Sequence, residues 1–146
     1  MRIYLDACSL QRPLDDRSQI RINIEAEAVL TILRIAEAGR LELLSSEVLR
    51  FEIARIPNQY RKVQVTEMLK LATNVIELND EIEAQADNFI NSGVKPLDAL
   101  HLASASWAKA DYFCTCDDRL LKKRNTLKSS TTDIVSPLQL VAEVAP

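Results

Sequence analysis

Short apolar runs alternate along this chain with longer segments whose apolar positions recur at helical spacing. Ile3, Tyr4 and Leu5 form the first run, which stops at Asp6 and reads as a strand ending in a carboxylate. Residues 11–16 have no apolar periodicity and read as a loop, after which residues 20–38 read as a long helix closed by Gly39. Residues 41–44 make a second strand, and Ser45 or Ser46 caps a helix carrying Val48, Leu49, Ile53 and Ile56, ended by Pro57. A helix over residues 59–72 leads into a third strand at Val75, Ile76 and Leu78. Asn79 and Asp80 announce another helix, in which Asp80 and Glu83 have capping-box spacing and which Gly93 closes. Pro96 opens the next helix, which continues over residues 97–109, and residues 112–116 form a fourth strand ending at Asp117 and Asp118. A short basic helical stretch follows, then a fifth strand at Ile134 and Val135 and a last helix begun by Ser136 and Pro137.

Strands alternating with helices predict an α/β fold of three layers, α/β/α, around a central, mainly parallel sheet of about five short strands. No repeat, low-complexity segment or linker divides the chain, so residues 1–146 are expected to form one domain. Right-handed crossovers would bring every strand's C-terminal end to one edge of the sheet, where ligands bind in open sheets of this kind.

With 47% apolar and 27% charged side chains, the chain has an ordinary globular composition, which excludes disordered and fibrous classes. Uncharged runs such as residues 99–108 fall short of a membrane span, and Asp6 interrupts the only apolar start an export signal could use. A cytoplasmic location is the expectation. Three cysteines cannot all pair within the chain and fit a reducing compartment. Cys114 and Cys116 read as small buried residues, since a zinc site would have to be completed by Cys8 and His101 alone. The net charge of −3 advertises no nucleic-acid partner. Local charge does more: Arg119, Lys122, Lys123, Arg124 and Lys128 form a basic stretch, with a weaker one at Arg55, Arg61 and Lys62.

Four acids stand out. Asp6 and Asp117 each follow a strand and would share one sheet edge, although Asp is also common wherever a strand turns. Glu52 lies on the apolar stripe of its helix, where an ionised carboxylate calls for a cation, either a structural one such as Arg55 or a metal. Glu47 is rotated away and reads as a first-turn helix stabiliser. Asp98 occupies the first turn of its helix, where the helix dipole is expected to lower its pKa and keep it ionised. Four acids meeting in one pocket would repel each other, and magnesium or manganese resolves that conflict with the chemistry of in-line displacement at phosphorus. His101, the single histidine, either assists proton transfer or is packed and hydrogen-bonded. No second Asp-x-x-His or Glu-x-x-His unit supports a di-iron bundle.

The order Asp6, Glu52, Asp98, Asp117 resembles the acidic set of PIN-domain nucleases, and more closely that of VapC-type toxin ribonucleases of toxin–antitoxin pairs. Ile3-Tyr4-Leu5-Asp6, the stretch over residues 46–52, the stretch over residues 97–105 and Thr115-Cys116-Asp117 are each similar to family motifs, and together they span nearly the whole chain. The resemblance implies that Asp6, Glu52, Asp98 and Asp117 serve one or two divalent metal ions, Mg2+ or Mn2+, in hydrolysis of RNA phosphodiesters, with Asp6, Asp98 and Asp117 as ligands. Thr115 and Ser9 would be supporting hydroxyls, and Asp118 would assist or replace Asp117. Cys8 stands where many members have a small polar residue. A homodimer, a neutralising antitoxin and an RNA strand held by Arg119, Lys122 and Lys123 are further expectations of the resemblance.

Two other functions compete. A catalytically idle RNA-binding or protein-interaction module would keep the fold without turnover. A phosphohydrolase using Asp6 as covalent nucleophile would want a second Asp where Cys8 stands, which speaks against it.

Overall fold

The structure, a computed structural model, describes residues 1–127 and 131–145, so Lys128 of the basic stretch lies outside the described residues. Strand β1 (Arg2–Leu5) runs through the centre with Ile3, Tyr4 and Leu5 fully buried. A strand covered on both faces needs such a continuous apolar run. Four more strands, β2 (Glu42–Ser46), β3 (Asn74–Ile76), β4 (Tyr112–Cys114) and β5 (Asp133–Val135), complete a five-stranded sheet of order β3-β2-β1-β4-β5. Every pair is parallel, with Leu5 beside Cys114 in the β1–β4 register. Helices cover both faces of this sheet, giving the expected three layers.

The helices are α1 (Ala7–Gln11), α2 (Ile20–Glu37), α3 (Glu47–Ala54), α4 (Gln59–Leu69), α5 (Asp80–Asn91), α6 (Pro96–Trp107), α7 (Asp118–Lys122) and α8 (Pro137–Val144). Helix α2 packs on α8, α5 on α6, and α3 on α4 and α6. From β1 the neighbours lie in opposite directions, β2 on one side and β4 on the other. This is the switch point at which the crevice above strand C-termini opens.

Several boundaries differ from the sequence pattern for local reasons. The loop expected over residues 11–16 is largely helical: Asp6 caps α1 through Ser9 N, and Arg12–Leu14 adds a 3-10 turn. Strand β4 ends at Cys114 rather than at residue 116. Thr115 N still bonds Val135 O at 3.0 Å, but Cys116 N turns to Cys8 Sγ and Asp117 N to Thr115 Oγ1. Leu78 does not join β3, because its amide donates to Glu47 Oε2 at 3.1 Å. Asn79, not Asp80, caps α5, accepting from Ile82 N at 2.9 Å, so the Asp80–Glu83 capping box does not form. Helix α4 ends at Leu69 where Lys70, Leu71 and Ala72 shift to tight three-residue bonds. Helix α6 stops at Trp107, with Lys109 in the left-handed region at φ 57°.

Candidate active site

Asp6 stands at the C-terminal end of β1 and is buried. Its Oδ1 accepts hydrogen bonds from Ser9 N at 2.9 Å and from the Cys8 thiol at 3.0 Å. The Thr115 hydroxyl is a further partner. Burial nevertheless outweighs these donors and raises the Asp6 pKa. Cys8 thus fills the donor position that the family resemblance left open beside Asp6, and it also lies 3.6 Å from Thr115 Oγ1. The Ser9 hydroxyl donates to Cys114 O at 3.1 Å and ties α1 to the end of β4.

Across the switch point, Thr115 is buried and accepts from Asp117 N at 3.1 Å, while Asp117 caps α7 through Arg119 N at 2.9 Å. Asp118 takes another direction, joining Arg21 by two bonds of 2.6 and 3.0 Å that lower its pKa. Its exposed carboxylate is therefore engaged by α2.

Asp98 sits half-buried in the first turn of α6. Contrary to the expectation from the helix dipole, its pKa is raised, first by burial and then by the negative charges of Asp6 and Asp117. His101 offsets this in part and Glu52 adds to it. A helix terminus contributes only about 0.3–1 kcal/mol near a surface, less than desolvation with three like charges. The same shift places Asp98 of α6 within reach of the charges of acids from β1, α3 and the β4–α7 turn.

Glu52 is held by His101, whose Nε2 lies 2.9 Å from Glu52 Oε1. Arg55 is not its partner and instead stacks over the Phe51 ring at 5.0 Å. His101 is itself buried, with Nδ1 2.6 Å from the Tyr4 hydroxyl. Burial raises the Tyr4 pKa, so the group is a neutral phenol at any ordinary pH.

A cavity of about 110 Å3 lies beside Asp98 and Asp117, with Lys95, Arg119 and Lys123 also on its wall. Lys122 is exposed and does not line it. Larger hollows flank β5 and β3, at about 510 and 650 Å3, away from the switch point. Lys95, Cys8 and Tyr4 were not singled out as site residues by the sequence pattern. The signal for Lys95 was its place directly before Pro96, at the start of the helix that carries Asp98.

Among the described residues, no group of three or more His, Cys, Asp or Glu side chains is arranged to hold a metal ion by itself. Magnesium does not require such a cage, because it commonly uses one or two carboxylates and completes its shell with water and substrate phosphate. The hard oxygen donors and the like charges acting on Asp98 fit a divalent cation of that kind.

The family model for the PIN domain matches residues 3–125. PIN domains are in general nucleases. A comparison with curated proteins gave no match. Among solved structures, the chain is similar to one described as VapBC2 from Rickettsia felis bound to a DNA fragment from its promoter. That likeness has a TM-score of 0.57 at 10% identity and covers 92% of this chain and 99% of the other. At that identity the likeness concerns the fold, which agrees with the family match over β1 to β4 and the four acids; the chain belongs to the PIN domain family.

Proposed function

We propose that this chain is a metal-dependent endoribonuclease, the toxin of a VapC-type toxin–antitoxin pair. The observation that carries the reading is the convergence of acids from β1, α3, α6 and the β4–α7 turn, close enough that Asp6, Asp117 and Glu52 each raise the Asp98 pKa. Asp6, Asp98 and Asp117 would hold Mg2+ or Mn2+. Bound there, the ion supplies activation of water and neutralises charge at a scissile phosphodiester. The chain's own residues do the rest. Cys8 and Ser9 N fix the Asp6 carboxylate, Thr115 orients the turn carrying Asp117, and Glu52 presents a carboxylate steadied by His101. Lys95, Arg119 and Lys123 line the adjoining cavity and offer cations to an RNA backbone. A small neutralising antitoxin belongs to the same reading, supported by the likeness to VapBC2, and with it go a homodimer and a cytoplasmic location.

The test is cleavage of a mixed cellular RNA pool by the purified chain in magnesium, manganese or chelator, beside Asp6→Asn and Asp98→Asn. Metal-dependent cutting that both variants lose is the expected result. Full-rate cutting by both variants sinks the assignment of the acids, and RNA binding without turnover in any metal makes the chain an idle RNA-binding or interaction module instead.

A further inference from the structure

Four buried or half-buried groups from four elements form an unbroken line that ends at Glu52. Ser46 Oγ, at the end of β2, lies 2.6 Å from the Tyr4 hydroxyl of β1. That hydroxyl lies 2.6 Å from His101 Nδ1 on α6, and His101 Nε2 lies 2.9 Å from Glu52 Oε1 on α3. Ser46, Tyr4 and His101 are all at most 1% exposed, so water does not compete for the Ser46–Tyr4 and Tyr4–His101 bonds.

The direction of the line turns on where the single Tyr4 proton points, since Ser46 and Tyr4 are each able to donate to the other. Ser46 Oγ already accepts from Leu49 N at 3.0 Å as the cap of α3, and its own proton is free to point to Tyr4. Tyr4 has one proton. If it points to Nδ1, that nitrogen is an acceptor, the neutral ring carries its proton on Nε2, and Nε2–H faces the Glu52 carboxylate. The opposite tautomer would set a bare Nε2 lone pair against a carboxylate oxygen at 2.9 Å, which is repulsive.

We propose that His101 is a positioning residue for Glu52, with Ser46 and Tyr4 fixing the imidazole as the Nε2–H tautomer so that one Glu52 oxygen is tied down and the other is left for the site. The proposal rests on the reading above in taking Glu52 as one of the acids that serve the metal ion, beside the Asp6, Asp98 and Asp117 ligands. Groups that orient a site carboxylate from behind cost roughly 10- to 100-fold in metal affinity or activity when removed.

His101 is the only histidine, so an untagged chain labelled with nitrogen-15 histidine gives ring signals from this residue alone. The expected spectrum has a protonated Nε2 and an unprotonated Nδ1, and any proton found on Nδ1 overturns the relay. The second arm uses two amide variants. In His101→Gln the amide reaches the Nε2 position and can still donate to Glu52, whereas in His101→Asn it reaches only the Nδ1 position and keeps the Tyr4 side. Manganese affinity measured by water proton relaxation should fall about tenfold in the Asn variant and be largely restored in the Gln variant, with the half-saturating magnesium concentration for cleavage moving in parallel. Equal affinity losses in both variants, or losses that simply follow their melting temperatures, would assign His101 to packing alone. If the unmodified chain cuts no RNA, the nuclease reading fails, while the nitrogen spectrum and the manganese affinities still decide the role of His101.

Discussion

Asp98 shows how far a residue's chemistry depends on what folding brings beside it. Its raised pKa means that the metal-free folded chain holds a proton there which the unfolded chain has already released. Where the native state binds more protons than the unfolded state, stability falls as pH rises. Asp98→Asn removes that charge permanently. At low pH, where Asp98 is protonated, the variant and the parent should melt nearly together. As pH climbs from about 4, the ordinary Asp range, the variant should gain an advantage of a few degrees that levels off once Asp98 has ionised. Thermal melts in chelator across pH measure this, and a constant or shrinking advantage would contradict it. Saturating magnesium should reverse the order, since only the parent carboxylate gains from the ion. The carboxylate itself was legible in the sequence as a first-turn acid. The sign of its shift was not, because the burial that dominates it and the charges of Asp6 and Asp117 come from segments that only folding brings to α6. The His101 partner of Glu52 is hidden for the same reason: Arg55, one of the cations the sequence offers, is near along the chain, whereas His101 is near only in space.

Among the elements, caps and strand runs were readable, and their ends depended on contacts that a linear pattern does not contain. Ser46 is the clearest example, because it ends β2, caps α3 and bonds the Tyr4 hydroxyl at once. Ser136 performs a cap in a reciprocal box with Gln139 at the start of α8, with no buried phenol attached. Losing a serine cap costs about 1 kcal/mol, and leaving a buried hydroxyl short of a partner costs about 1–3 kcal/mol more. Urea denaturation should therefore find Ser46→Ala more destabilising than Ser136→Ala by at least about 1 kcal/mol; equal losses would mean that the Ser46–Tyr4 bond adds nothing. The segment after α1 was the least legible element. Its order comes from ions rather than apolar spacing: Arg61 of α4 reaches Asp15 at 2.7 Å and Leu14 O at 2.9 Å, and Arg12 approaches buried Glu25 at 3.5 Å. Removing one partner of a buried pair typically costs about 3–5 kcal/mol. Arg12 is only partly buried and Arg21 also approaches Glu25, at 3.7 Å, so Arg12→Met should fall at or below the lower end of that range. A loss near zero in the same urea experiment would show that Arg21 alone neutralises Glu25.

For the whole molecule, the alternation of strands and helices was enough to foresee a parallel sheet, and the switch point between β1 and β4 then brings Asp6 and the Thr115–Asp117 turn together. Charge at this scale points the other way from function, because a chain of net charge −3 should repel a polyanion on average. Binding must be local, and the cavity at the acids singles out Lys95, Arg119 and Lys123 while leaving out Lys122, which the linear basic stretch had included. Single-stranded binding loses affinity with salt at a slope of about −0.7 per neutralised phosphate, so three such contacts imply a slope of about −2. Titrations of a labelled RNA strand into the uncleaving Asp98→Asn background, repeated over a range of potassium chloride, read that slope directly. Lys95→Gln, Arg119→Gln and Lys123→Gln should each weaken binding and reduce the slope by about 0.7, and Lys122→Gln should change neither. A Lys122→Gln effect as large as the other three would mean that RNA follows the outer face of α7 and the cavity is not its path.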